Sequence, residues 1–229
     1  GGAGCPCIVE TVPWDERAIA SGFDFAMDEA EERRLIERLQ RHDEAAFNEF
    51  VRLHQDRVFA LVLRMIGDRA EAEDLAQEVF VTVFKSIGSF RGESKLSTWL
   101  YRVTTNHCKN RIKYLGRRAR PGKDAGAEEL QGETGNHASL ATSAHVPRPD
   151  QAVEGREAES LVQRALAALP DDQRELVVLR DVEGLTYEEI QAITGHPEGT
   201  VKSKLHRARL LLVQHLEALR AGRKPGGER

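Results

Sequence analysis

The chain has 229 residues, of which 31% are charged and only 6% aromatic, and its 33 Lys and Arg against 37 Asp and Glu give a formal net charge of −4. That length has room for one large or two small domains, and that composition fits a globular protein with some solvated connecting sequence. No run approaches the ~18–20 apolar residues of a membrane span and the amino end lacks the basic-then-apolar order of a secretory signal, so the expected compartment is the cytoplasm.

Where the positive charges lie says more than their sum. Between Ser94 and Gly122 stand Lys95, Arg102, Lys109, Arg111, Lys113, Arg117, Arg118 and Arg120, with no Asp or Glu among them. This is a local basic surface on an acidic protein. Cys5, Cys7 and Cys108 supply no even framework for a disulfide-stapled fold. Cys5-Pro6-Cys7 has no second ligand pair, and its nearest histidine is His42, so neither a metal site nor a cofactor is expected.

Residues 1–27 mix Gly, Pro and scattered apolar residues without period and read as a tail outside the fold. From Asp28 to Leu115 helical patterning is nearly continuous. Leu35, Ile36 and Leu39, then Phe47, Phe50, Val51, Val58, Leu61, Val62 and Met65, recur at three- and four-residue spacing. Gly67 and Asp68 predict the end of one helix and the cap of the next.

The next helix, Arg69 to Ile87, carries Leu75, Val79, Phe80, Val81, Val83, Phe84 and Ile87, more than one apolar stripe. Some of these side chains are expected to remain for a partner; a central helix buried on every side is the alternative. Gly88 to Lys95 reads as a loop, and Ser97 or Thr98 is a candidate cap for a helix reaching about Leu115. In that helix Leu100, Thr104, Cys108, Ile112 and Leu115 share an inward face. Arg102, Asn106, Lys109 and Lys113 line another face as a strip of donors without a competing carboxylate.

From Gly116 to about Pro149 the sequence is rich in Gly, Ala, Ser, Pro and charges and has no apolar period, which predicts a flexible linker. Helical pattern returns over Val153 to Leu169, breaks at Pro170, resumes from Asp171 to Arg180 and turns at Gly184. The expected division is therefore a tail (1–27), a helical domain (28–115), a linker (116–152), a second helical domain (153–220) and a short tail (221–229).

Thr186-Tyr187-Glu188-Glu189 is a capping box that starts a short helix with Ile190 and Ile193 on its apolar side. Gly195 permits a tight turn, and Pro197 suits the first position of a second helix. In that helix Val201, Leu205, Ala208 and Leu212 face inward, leaving Thr200, Lys202, Ser203, His206 and Arg207 toward solvent. Helix, turn and helix with polar amino-terminal side chains match the geometry that reads base edges in a major groove; a plain helical hairpin with a basic face is the bland alternative.

Several motifs occur together and in order: Asp74-Leu75-Ala76-Gln77-Glu78-Val79-Phe80, Phe90-Arg91-Gly92-Glu93-Ser94, Thr98-Trp99-Leu100-Tyr101-Arg102, Leu169-Pro170, Gly199-Thr200-Val201-Lys202-Ser203 and Arg207-Ala208-Arg209. On these the chain resembles an extracytoplasmic-function (ECF) sigma factor of the sigma-70 family, over roughly residues 40–115 and 155–215. The resemblance implies an all-α fold of two small domains, sigma regions 2 and 4. It implies a non-catalytic specificity subunit that binds core RNA polymerase, at the clamp of the beta-prime subunit and the flap of the beta subunit, and directs it to promoter DNA. Asp74, Leu75, Gln77, Glu78, Phe80 and Phe84 would meet the clamp.

The resemblance further implies that Phe90, Arg91, Ser94 and Lys95 surround an extruded base of the minus-ten element. Trp99, Arg102, Asn106, Lys109, Asn110 and Lys113 would then follow the separated strand, which needs cations for the backbone and flat or hydrogen-bonding groups for unstacked bases. Thr200, Lys202, Ser203, His206 and Arg207 would read the minus-thirty-five element as duplex. A cognate anti-sigma factor is a further implied partner. Gln191 departs from the pattern, standing where the family usually has an alanine packed between the two helices of the motif.

Two rival readings remain. A conventional repressor would use the carboxy-terminal motif alone and bind a palindrome as a dimer. An enzyme would need more than scattered histidines such as His42, His54, His107, His137 and His206, and the sequence has no phosphate loop, nucleophile elbow or metal spacing.

Overall fold

The computed structural model describes residues 28–118 and 149–222. The predicted tail 1–27, most of the predicted linker and the last seven residues lie outside the described residues. All regular structure among the described residues is helical. A first group comprises α1 (Glu29–Gln40), α2 (Glu44–Ile66), α3 (Arg69–Ser86) and α4 (Leu96–Arg118); a second comprises α5 (Pro149–Ala167), α6 (Asp171–Val177), α7 (Tyr187–Thr194) and α8 (Glu198–Arg220).

Local chemistry sets most helix ends. The Asp43 carboxylate accepts from the Ala46 amide at 3.0 Å and opens α2, while Arg38 donates to the same carboxylate at 3.0 Å. Gly67 adopts φ 84°, a left-handed conformation that costs glycine little, and its amide donates to the Leu63 carbonyl at 2.8 Å to close α2. Asp68 then accepts from the Glu71 amide at 2.9 Å and opens α3.

The start of α4 departs from the sequence expectation. It begins at Leu96, and neither Ser97 nor Thr98 caps it: Glu32 of α1 accepts from the Leu96 amide at 2.8 Å, and Thr98 is buried. A cap supplied from another helix has no local sequence signature. The boundaries of the predicted linker shift as well, since α4 runs to Arg118 and α5 starts at Pro149. Proline is tolerated at a first helical position because its missing amide proton would have had no intrahelical acceptor.

Phe50, Leu61, Met65, Leu75 and Leu100 fill the first group, and Leu166, Leu176, Leu179, Ile190 and Leu205 fill the second. These residues form one continuous cluster, so the two helical groups pack on each other. α5 and α6 lie against α2, and α7 lies against α4. The sequence, read as two domains on a tether, does not foretell this seam.

One side chain ties the ends of three elements. Arg174 on α6 is only 8% exposed. It donates through Nε to the Leu166 carbonyl at 2.9 Å, through Nη1 to Met65 at 2.6 Å, and through Nη2 to Ala167 and Leu169 at 3.1 and 3.0 Å. The last carbonyls of a helix have no intrahelical donors, so a guanidinium with five N–H groups satisfies the ends of α2 and α5 together.

Beyond Val177 the chain widens into a single π-helical turn, Val178–Val182. The Glu183 amide closes it onto the Val178 carbonyl at 3.0 Å, Gly184 takes φ 72°, and Arg180 donates to the Leu185 carbonyl at 2.6 Å.

Two outcomes follow. Arg174→Met leaves buried carbonyls without donors and lowers stability by about 3 kcal/mol in urea denaturation. Burial against Phe50 holds the His54 imidazole at about 4, below its usual 6.5. The folded chain therefore declines a proton that the unfolded chain accepts. Stability present above pH 6.5 is lost as the pH falls through 4, and the melting temperature of His54→Gln declines less over that window.

Candidate nucleic-acid interface

The carboxy-terminal motif is built by its caps. The Glu189 amide donates to the Thr186 hydroxyl at 3.2 Å and the Thr186 amide donates to the Glu189 carboxylate at 2.9 Å, the reciprocal pair of a capping box. Gly195, at φ 73°, ends α7. Pro197 stands just before α8 as its cap position rather than as its first residue. Ile190 and Ile193 pack with Val201, Leu205 and Ala208, all buried. Gln191 is exposed, so the departure from the family pattern lies outside the seam between the two helices.

Lys202, Ser203, His206 and Arg207 stand exposed on α8 and Thr200 is half-buried, placing the five predicted readers on or beside one surface. Lys202 is oriented: its Nζ lies 2.5 Å from Glu198 and 5.1 Å above the Tyr187 ring, and the Glu198 carboxylate raises its pKa. The Arg180 guanidinium lies 4.8 Å from the centroid of the same ring. Lys204 pairs with Asp172 at 2.9 Å, and Arg209 pairs with Asp181, so these two cations brace α8 within its own group.

On α4, Arg102, Asn106, Asn110 and Lys113 are exposed, as a strand-binding strip requires. Lys109 is half-buried and its Nζ lies 2.8 Å from the Glu175 carboxylate of α6. The expectation of a strip without a competing carboxylate is therefore wrong. The competing group arrives from a helix of the second group, distant in the chain. Arg111 takes no part in the strip either, since it bonds Glu71 and Glu78 of α3 at 2.6 Å each.

In the loop before α4, Arg91, Ser94 and Lys95 are exposed, and Lys95 reaches Glu189 of α7 at 3.2 Å. Phe90 is turned into the fold. It is 7% exposed, its ring centroid lies 5.4 Å from that of half-buried Trp99, and its carbonyl accepts from Gln40 at 2.8 Å. The loop is pinned by its aromatic rather than presenting it.

The predicted clamp-facing set divides in the same way. Asp74, Gln77 and Glu78 are exposed on α3, whereas Leu75 at 1% and Phe80 at 5% belong to the core. Phe84 is half-buried, with the rings of Phe47 and His42 each 5.0 Å away. Val79, Val83 and Ile87 are also buried, so the surplus apolar surface expected for a partner is small. α3 packs against both α2 and α4, and that two-sided enclosure takes up the second stripe.

Sequence reasoning missed three carboxylate contacts to α4 and the loop before it. Glu175 is 2% exposed and burial raises its pKa. Glu183 accepts from the Tyr101 hydroxyl at 2.8 Å, and burial raises its pKa also. Glu189 pairs with Lys95 in addition to its capping role. The one available signal was Glu175 abutting the apolar run Leu176-Val177-Val178-Leu179, where a charged residue is placed for burial.

A helix-turn-helix with an exposed basic row, joined to a second helical group with a basic face, defines a DNA-binding transcription protein. The match to family models is specific: Sigma-70 region 2 over residues 50–118 and Sigma-70, region 4 over residues 159–212. The RNA polymerase sigma-H factor of Pseudomonas aeruginosa is 36% identical over 193 residues, covering 84% of this chain and 97% of that protein. The ECF RNA polymerase sigma-E factor of Escherichia coli is 36% identical over 185 residues, covering 81% and 94%. The chain also superimposes on RpoE from Bartonella quintana, solved in complex with the anti-sigma factor NepR, with TM-score 0.55 and 25% identity over 75% of this chain and 96% of that one. CnrH, solved with the cytosolic domain of CnrY, shares the fold at TM-score 0.54 and 20% identity over 83% and 97%.

The chain belongs to the sigma-70 family and, within it, to the ECF sigma factors, subunits that bind core RNA polymerase and direct it to promoters. No described helix is long and apolar enough to cross a membrane.

The division of α3 into core and surface is open to measurement. Leu75→Ala lowers stability by about 3 kcal/mol, because it empties a buried site, while Asp74→Ala and Gln77→Ala stay within about 0.5 kcal/mol of wild type in urea denaturation.

Proposed function

We propose that this sigma factor reads its promoter at two separated surfaces, with α4 and the loop before it holding the melted minus-ten strand and α8 reading the minus-thirty-five duplex. The observation that carries the proposal is the exposed row Lys202, Ser203, His206 and Arg207 on the amino-terminal half of a capped, packed recognition helix. Rigid support lets such side chains meet base edges at fixed register. Arg102, Asn106, Asn110 and Lys113 supply the strand surface, with Arg91, Ser94 and Lys95 at its entrance. Trp99, half-buried and packed on Phe90, would stand beside that entrance.

The polymerase clamp would rest on exposed Asp74, Gln77 and Glu78, with Leu75 and Phe80 holding the helix in shape behind them and Phe84 at the margin. Flap contact would fall to the second group. The subunit would act in the cytoplasm without catalysing a reaction itself. Two structural relatives were solved with partners, an anti-sigma factor for RpoE and the cytosolic domain of CnrY for CnrH, and an anti-sigma partner is proposed here on that ground.

Run-off transcription by core RNA polymerase from the same cell, on a library of promoter fragments with and without this chain, tests the proposal. Start sites that depend on the chain, sharing two spaced elements, are expected; failure to bind core, with dimeric binding to a palindrome, would reinstate the repressor reading. Lys202→Ala should narrow discrimination among minus-thirty-five variants by about 1–3 kcal/mol and leave core binding unchanged. An equal loss on every promoter would remove Lys202 from the base-reading set.

A further inference from the structure

The exposed loop Arg91–Lys95 hangs between two fixed points. At one end the Gln40 side-chain amide donates to the Phe90 carbonyl at 2.8 Å, and at the other the Glu32 carboxylate accepts from the Leu96 amide at 2.8 Å. Both side chains belong to α1, where they stand about 12 Å apart at about 1.5 Å of rise per residue. Glu32, Leu35, Leu39 and Gln40 share one face of that helix. Leu35 and Leu39 are buried and bind the face to the core, which leaves a half-buried polar group at each end of it.

Each polar group serves backbone that no helix satisfies. Leu96 is the first residue of α4, so its amide has no intrahelical acceptor, and Phe90 lies beyond the short helical turn Ile87–Ser89. Burial of Phe90 and Leu96 holds the two ends of the loop in place, but apolar contact is non-directional. The two hydrogen bonds set the direction in which the chain leaves each end. Within the loop, the Ser94 hydroxyl donates to the Lys95 carbonyl at 3.3 Å and Lys95 pairs with Glu189 at 3.2 Å, and neither contact replaces the anchors on α1.

We propose that Glu32 and Gln40 are positioning residues for promoter recognition: α1 is the frame of the minus-ten loop, and these two side chains set the aim of Arg91, Ser94 and Lys95 without touching DNA themselves. This rests on the reading of that loop as part of the minus-ten surface. A loop aimed before the strand arrives loses less freedom on capture. With either hydrogen bond gone the loop takes other directions, and the affinity for a held base declines with the competent fraction. Promoters whose base the loop does not hold lose nothing, so the preference narrows.

The test uses the full chain with core RNA polymerase and a promoter on which the chain initiates, randomised separately in its minus-ten and minus-thirty-five elements. Sequencing the run-off transcripts gives the base preference at each position. Gln40→Glu keeps the shape of the side chain but sets a carboxylate, which has no proton to donate, against the Phe90 carbonyl. Glu32→Ala removes the other anchor, whereas Glu32→Gln keeps an oxygen that accepts from Leu96. Gln40→Glu and Glu32→Ala should each narrow the minus-ten preference about tenfold, and Glu32→Gln should stay near wild type. All three should keep the wild-type minus-thirty-five preference and core binding. If Gln40→Glu fails to fold, Gln40→Met, which keeps the volume and has no donor, takes its place with the same expectation.

Unchanged minus-ten preference in Gln40→Glu and Glu32→Ala overturns the proposal. So does an equal loss on every promoter, which would make the two side chains supports of α1 and nothing more, and so does a Glu32→Gln chain as impaired as Glu32→Ala. Arg91→Ala and Ser94→Ala, combined in one chain, separate the two readings. If that chain loses minus-ten preference while Gln40→Glu and Glu32→Ala keep it, the loop reads DNA and the frame alone is rejected; if it too keeps wild-type preference, the reading of the loop falls and the frame with it.

Discussion

The orientation of everything after the linker depends on one buried guanidinium. The helix ends of α2 and α5 each present carbonyls that no intrahelical amide can reach, and Arg174 gathers both sets. Three of its acceptors, Leu166, Ala167 and Leu169, fix the angle between α5 and α6, while Met65 fixes α6 against the first group. Burial lowers the pKa of Arg174, and Asp171 at 3.3 Å offsets that desolvation. An apolar residue there could fill the volume but could not satisfy four carbonyls at once. With α6 held, the packing of Leu176 and Leu179 against α8 and the capping box of α7 leave the recognition helix little freedom.

Local signals in the sequence were read correctly where the physics is local. Thr186 and Glu189 lie three residues apart and cap each other, Gly67 and Asp68 are adjacent, and Val201, Leu205 and Ala208 repeat at helical spacing. The failures have a common cause. Glu32 caps α4, Glu175 reaches Lys109, and Phe90 folds under Trp99, and in each case the deciding partner belongs to another element. Periodicity shows that a helix has a buried face but not how many neighbours enclose it, so Leu75 and Phe80 read equally well as core or as docking surface until α2 and α4 are both in place. The fold class and the helix-turn-helix were therefore legible in full, the exposed face of α4 only in part, and the seam not at all.

Pairing also explains how an acidic chain presents basic surfaces. Arg111 is committed to Glu71 and Glu78, Lys204 to Asp172 and Arg209 to Asp181, so these cations stabilise helix contacts rather than attract phosphate. Arg102, Lys113 and Arg207 make no ion pair among the described residues and remain exposed. A count of charges in the sequence treats both kinds alike. The folded chain separates them, although Lys202 of α8 is itself paired with Glu198, and exposed Arg34, Arg52 and Lys85 lie on α1, α2 and α3.

The π-helical turn at Val178–Val182 has a consequence for how such chains can change length. A π turn holds one more residue than an α turn over the same span, and each helical residue rotates the chain by about 100°. Loss of a single residue from this turn would restore ordinary α geometry and leave α6 almost unaltered in length. Leu185, Tyr187 and the whole of α7 and α8 would then keep their places, because the extra residue is taken up within the wide turn itself. The wide turn thus absorbs a length change of one residue between the anchored half of the second group and the half that carries the helix-turn-helix, without re-aiming α8.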